Sequence, residues 1–467
     1  MKFIGPFLRI NSLNEENISN QLFHLSKESI KHIVLQSKCG IPIAPKELNK
    51  HIPKIDINTI KGFSPLLCLY KKASAKLSYE KHKPYWNTEK FKKDIPIISN
   101  SMMTLCLLEL SDYYKQFKDT DKKKYEMFEV YSALSKCQLE FYGAHLRNIE
   151  GVFIDKVHTS DLFSEDIKLT DKNNKFKYSE QAFLMSAYYK YSQLFKDELA
   201  YEKNSYAKEY KKFSLDILNM FMNFREHIYD ISFNEKLKLS LGLNLFYHYS
   251  KIEDIKPLLL DFYDLILEEY NHKISDDKKN KVLINSLMLL NSSFIYKNLK
   301  FLKSKEFSEN LYKELIESYD ENLGLYTKSP EEKSVDYDSS ELMTYLISLI
   351  FYSNIFEIED DNSVAENIFK NGVINSGLVL SWPDTPSLND VERYKNFSRN
   401  SDDLLEDDYF RMPTLPTPEN NELAPIFIKR ITYNRKKNEF KQSKSNFDSE
   451  RNMTIFFMCI FLYNNFI

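Results

Sequence analysis

Three short stretches bring together residue types that could do chemistry. GVFIDKVHTSD, at 151–161, offers Asp155, Lys156, His158 and Asp161. An imidazole exchanges protons near neutral pH and nearby carboxylates tune it, so Asp155, His158 and Asp161 are candidates for acid–base catalysis. The plainer reading is a polar loop whose aspartates cap turns and a helix. SVDYDSSE, at 334–341, places Asp336 and Asp338 just ahead of an apolar helix. Two carboxylates at one opening meet the minimum for cleaving a glycosidic bond, one as acid and the other as base or nucleophile. Capping alone also accounts for them, with Asp338 or Ser339 as N-cap and Glu341 in the first turn. SGLVLSWPDTPSLNDVERY, at 376–394, carries Trp382, Asp384, Asp390 and Arg393 as candidate substrate-binding residues. A Trp in a proline-bounded loop presents a flat apolar face to a sugar ring or a partner, or else packs down as a lid.

These stretches interrupt a chain dominated by helical spacing. Only nine glycines occur in 467 residues. β-like alternation is nearly absent, so the expected class is all-α. SEQAFLMSAYYKYSQLF at 179–195 is echoed by SSELMTYLISLIFYSNIF at 339–356: Glu180 precedes Tyr191 by the interval that separates Glu341 from Tyr352. Looser copies end near Tyr114, Tyr249, Tyr296 and Tyr463. Between them lie helices with one apolar stripe. Phe307, Leu311, Leu315 and Tyr319 form such a row, widened by Tyr312 and Ile316, and segments 126–146, 206–227 and 255–271 behave alike. A helix apolar all round is buried, and one with a single stripe lies at the surface. Inner and outer helices therefore alternate, paired as about six hairpins. That pattern predicts an α/α toroid in one domain, 1–467, with a loop-rich insertion at 375–449; an open solenoid or irregular bundle is the alternative.

Three outer helices run into a short glycine turn: RNIEGVF at 147–153, DENLGLY at 320–326 and INSGLVLSW at 374–382. These turns resemble the N-x-x-G-[apolar/aromatic] punctuation of the six-hairpin glycosidase superfamily. In the third, Asn375 stands only two residues before Gly377, a departure from that spacing. The resemblance covers the hairpin rhythm of most of the chain and no catalytic signature. It implies that loops 147–178, 227–234, 272–282, 320–339 and 375–449 line one mouth of the ring. It also implies an oligosaccharide or other small ligand there.

Composition narrows the remaining classes. With 64 basic and 67 acidic residues the net charge is −3, which offers no overall field for nucleic acid or an anionic membrane. Five scattered cysteines, without CxxC or Cys/His spacing, read as free buried thiols of a reducing compartment. The N-terminus has no signal-peptide core and MTIFFMCIFLY at 453–463 is about half a membrane span, so a cytoplasmic location is expected. Phosphate-loop, GxGxxG, HExxH and GxSxG motifs are absent, and no metal or cofactor is expected. Asp402, Asp403, Glu406, Asp407 and Asp408 echo a magnesium-binding run, but beside Pro413, Pro416 and Pro418 they read as a solvated acidic loop. His24, His145, His227 and His248 read as packed or solvated. Two functions survive: a carbohydrate-active protein, glycoside hydrolase or lyase, and a noncatalytic helical scaffold for a peptide or protein partner.

Overall fold

The computed structural model describes residues 13–51, 62–80, 83–159, 167–195, 204–277, 280–328, 332–358, 363–384, 417, 420 and 422–466. Asp161, Asp390, Arg393 and the acidic run 402–408 lie outside the described residues. The main helices are α1 Glu15–Leu35, α2 Ile97–Lys115, α3 Lys122–His145, α4 Tyr178–Gln193, α5 Ser205–Asn223, α6 Phe233–Ser250, α7 Lys256–Asp276 and α8 Lys281–Leu299. They continue with α9 Leu302–Glu317, α10 Ser339–Phe356, α11 Val364–Asn367, which runs into π-helical Ile368–Asn375, and α12 Ser449–Phe466.

Side-chain polarity sorts these helices into two kinds. In α4 every residue from Ser179 to Ser192 is buried, whereas α5 buries only Ala207, Tyr210, Ser214, Ile217, Leu218 and Phe221, a stripe at three- and four-residue spacing. The even-numbered helices follow the first pattern and touch in sequence: α2 on α4, then α6, α8, α10 and α12, with α12 returning to α2. Each odd-numbered helix leans on an even one. α3 packs on α2, α5 on α4, α7 on α6, α9 on α8, α11 on α10, and α1, from the opposite end of the chain, on α12.

α1 is more buried than an outer helix needs to be, because the segment before the last helix also covers it. Ser29 Oγ donates to the Pro425 carbonyl at 2.7 Å, and His24 Nε2 meets the Asp384 carbonyl at 2.8 Å. Among the described residues no helix is long and apolar enough to cross a membrane, and all five cysteines are buried and unpaired.

Helix accounts for 62% of the chain and strand for 14%, so the protein is mostly helical, with short strands between the helices. The strands escape a search for alternation because they are two to five residues long and gain their order from backbone pairing. β1 Lys72–Ser74 pairs with β5 Asn446–Asp448; β2 Ser334–Asp338, β3 Arg430–Asn434 and β4 Glu439–Gln442 form an antiparallel sheet with β3 in the middle. The stretch 375–449, expected as loop, supplies β3, β4 and β5. Gly151, Gly324 and Gly377 all have positive φ (86°, 69° and 65°), the conformation that makes glycine favourable in such turns. Only Gly377 directly follows a helical segment; Gly151 and Gly324 sit in turns a few residues beyond their helices.

The even helices α2, α4, α6 and α12 are tied at one end by a buried charge. Glu109 of α2 is 1% exposed and Lys190 of α4 is 7% exposed. Lys190 Nζ lies 3.1 Å from Glu109 Oε1 and 2.6 Å from Asp112 Oδ2. The Tyr249 hydroxyl of α6 donates to Glu109 Oε1 at 2.6 Å, and Asn464 and Asn465 of α12 each donate to Oε2 at 3.2 Å. Burial pushes the Glu109 carboxyl up, but the Lys190 charge and these donors outweigh it and hold the group below its usual range, ionised. Lys190→Met would strand that carboxylate without its counter-ion, a loss of about 3–5 kcal/mol. Urea unfolding should show it as a lower midpoint with an unchanged slope.

Candidate active site

The opposite ends of the same helices, their first turns, gather a second set of charges. α2 begins at Ile97 after Pro96, which has no capping side chain. Asp155 supplies the missing acceptor from a distance: its Oδ1 takes the Ile97 N–H at 2.9 Å. Glu180 and Glu235 are each the third residue of their helices, α4 and α6, where the free amides and helix dipole favour a carboxylate. Glu235 Oε1 accepts the Ser179 N–H of α4 at 2.9 Å, and Ser99 Oγ of α2 lies 2.8 Å from Ser449 Oγ of α12. The first turns of α2, α4, α6 and α12 thus converge, as their far ends do around Glu109. These four helices run parallel.

Glu180 is the unusual member. Its side chain is 4% exposed, and Lys177 Nζ lies 2.8 Å from its Oε1. Burial pushes the carboxyl up to about 7, against the opposing pull of Lys177, with the charges of Asp155 and Glu235 adding to the rise. Burial pulls the Lys177 ammonium down, but Glu180, Asp155 and Glu450 hold it above its usual range. Glu450, in the first turn of α12, pairs with Lys71 at 2.8 Å; burial pushes it up, and Lys71, Lys177 and Lys238 hold it low. A carboxyl held up therefore stands near one held low, Glu450. Environments that separate the pKa values of adjacent carboxyls are how acid and base roles are assigned in enzymes.

The residues singled out from the sequence take several positions. Asp155 belongs to this cluster, as the cap of α2, with Lys172 Nζ 3.8 Å from its Oδ2. Lys156 turns away and donates to the Arg147 carbonyl at 2.9 Å. His158 Nδ1 hydrogen-bonds the Tyr70 hydroxyl; burial and the Lys93 charge hold the imidazole below its usual range, hence neutral at pH 7. Asp336 lies in β2, 2.8 Å from Arg430 and 2.5 Å from the Thr432 hydroxyl. Asp338 caps α10 by accepting the Ser340 N–H at 2.9 Å, completes a capping box with Glu341, and meets Arg451 at 3.2 Å. Trp382 is 5% exposed, packed edge-on to Phe369, and its indole N–H has no acceptor among the described residues. Asp384 is exposed and touches His24 through its backbone carbonyl.

No family model matches the chain, and no curated protein does. Among solved structures it is similar to one described as a D-mannose isomerase, at 11% identity and a TM-score of 0.43, over 89% of this chain and 97% of the other. It is also similar to a sugar epimerase from a ruminal bacterium, at 10% identity and a TM-score of 0.43, over 76% of this chain and 85% of that one.

Glu180 stands in the repeated helix, yet motif reasoning passes over it because a first-turn acid is ordinary. The signal lay in recurrence: Glu180, Glu235 and Glu341 all occupy the third position of an even-numbered helix. What no spacing reveals is burial, which separates Glu180 from a solvated cap. The sign of its effect on stability follows from the shift. A carboxyl raised from 4.5 to about 7 binds its proton more tightly when folded, so its contribution is complete below 4.5 and is lost as pH climbs through 7. On the order of 3 kcal/mol is involved, at 1.36 kcal/mol per pKa unit. Glu180→Gln should remove that decline, so urea midpoints at about pH 5 and about pH 8 should differ less in the variant than in the native protein.

Proposed function

We propose that the protein is a carbohydrate-active enzyme of the α/α-toroid kind, a glycoside hydrolase or lyase working at the mouth formed by the first turns of the even-numbered helices. The toroid reading is supported by the order of helix contacts, in which α12 returns to α2 and each odd helix backs one even helix. The observation that carries the catalytic reading is Glu180, a buried carboxyl poised at about 7 beside Lys177. A general acid–base group works best when its pKa lies near the working pH. In this reading Glu180 holds the proton that passes to or from the glycosidic oxygen or ring carbon. Asp155 or Glu235 supplies the second carboxyl group that cleavage requires.

Carboxylates and ammonium groups at one opening suit a polyhydroxylated ligand, because each carboxylate accepts from hydroxyls and each lysine donates to them. Glu235 and Asp155 already have one oxygen committed to a backbone amide, which fixes their orientation. The whole chain, 1–467, acts as one domain in this account. Five unpaired buried thiols suit a cytoplasmic setting.

A panel of oligosaccharides should raise the melting temperature of the native protein, since a ligand that prefers the folded state stabilises it. With the stabilising sugar as substrate, Glu180→Gln should lower kcat by about 10²–10⁴-fold and leave KM nearly unchanged. New reducing ends without ultraviolet absorbance would mean hydrolysis, and an absorbing unsaturated product would mean elimination. If no sugar shifts the melting temperature and no product forms, the protein is the noncatalytic helical scaffold for a peptide or protein partner.

A further inference from the structure

A second opening lies on the other side of the α12 first turn. It is a cavity of about 680 Å³ walled by β1, β3, β4, β5 and the start of α12. Its lining contains six cations, Lys72, Lys429, Arg430, Lys441, Lys444 and Arg451, and one acid, Asp448. Asp336 and Asp338 of β2, outside the lining, pair with Arg430 and Arg451, and Asp448 stands 3.8 Å from Lys72. Three acids thus answer six cations. The ammonium groups of Lys429, Lys441 and Lys444 have no carboxylate partner among the described residues. A chain whose total charge is −3 has here concentrated the opposite sign in one concave place.

The fold explains how this comes about. β1 places successive residues on opposite faces, so Lys71, just before it, pairs with Glu450 of the mouth, while Lys72 pairs with Asp448 of the cavity. In β3 and β4, Arg430 and Lys441 stand on neighbouring strands of one three-stranded sheet. Lys441 stands opposite Thr432, which makes Arg430 its diagonal neighbour on the sheet, and like charges so placed repel. Such an arrangement is stable in water but becomes favourable when an anion fills it.

We infer that this cavity binds a phosphate monoester group, either free phosphate or the phosphate of a phosphorylated sugar. The volume fits a small molecule. Arg430 and Arg451 are each paired with an aspartate, leaving guanidinium edges able to meet phosphate oxygens, and Lys429, Lys441 and Lys444 can supply the neutralising charge. Thr432 and Ser443 bring hydroxyls to the same lining, and Phe447 gives one apolar wall for a carbon skeleton. A dianion matches the unanswered charge better than a single carboxylate does. This site does not depend on the chemistry assigned to Glu180.

Titration calorimetry with inorganic phosphate, glucose 6-phosphate and glucose tests it on the full-length protein. Binding of both phosphates and not of glucose is expected, weakening steeply with added salt. Tighter binding of glucose 6-phosphate than of phosphate would assign the group to a phosphorylated sugar, and equal binding would assign it to free phosphate. The double variant Lys441→Ala with Lys444→Ala, both exposed and with ammonium groups that make no ion pair among the described residues, should lower phosphate affinity at least tenfold, while Lys313→Ala on α9 should not. Glu180→Gln should bind phosphate as the native protein does, whatever becomes of its activity. No phosphate binding at millimolar concentration, or binding that Lys441→Ala with Lys444→Ala leaves unchanged, would overturn the inference.

Discussion

A single ionised carboxylate, Glu109, buried where four helices meet, is the constraint on which the arrangement rests. Removing a carboxylate from water costs several kcal/mol, and only partners from every side recover it. Here those partners come from α4 through Lys190, from α6 through Tyr249 and from α12 through Asn464 and Asn465. The helices that supply them are distant in sequence. An apolar contact between them is non-directional and specifies register through shape alone. A buried charge cannot: shifting any one helix would leave a donor or an acceptor unmet. Glu109 thereby fixes the register of the first inner helix against the last.

Register at that end decides geometry at the other. Four parallel helices pinned at their C-terminal halves must present their first turns side by side, with the positive ends of their dipoles together. Crowded positive ends call for carboxylates, and the chain answers with Asp155, Glu180, Glu235 and Glu450. Lys71 and Lys177 then balance the acids. The proton-exchanging state of Glu180 is a product of this crowding: burial and neighbouring carboxylates raise it, and one lysine is not enough to restore it. The poised carboxyl of Glu180 and the contact of α12 with α2 are two consequences of the same parallel bundle.

Much of the frame was legible because it depends on period and polarity. The stripe through Phe307, Leu311 and Leu315, the full burial of 179–192 and the burial of all but Thr344 in 341–353, the capping box at Asp338 and Glu341, and the left-handed glycines are all local statements that a sequence carries. The strands were not legible, since Ser334–Asp338 reads equally as a helix preamble until Arg430–Asn434 pairs with it from about a hundred residues away. The site was legible only in part. Asp155 was singled out for its neighbours in sequence, whereas its role comes from Ile97, 58 residues earlier. Glu180 was visible as a repeated residue and invisible as a buried one. Trp382, chosen for its proline-bounded loop, is buried and packs against Phe369.

The closure itself can be measured. A double-mutant cycle pairs Glu109→Ala in α2 with Asn464→Ala and Asn465→Ala in α12, each arm followed by urea unfolding. Helices locked together through the buried carboxylate predict that the losses are coupled by about 1–3 kcal/mol, the range seen for residues sharing one hydrogen-bond network. Losses that simply add would mean that the buried carboxylate does not couple α2 to α12, and would contradict the claim that Glu109 sets their register.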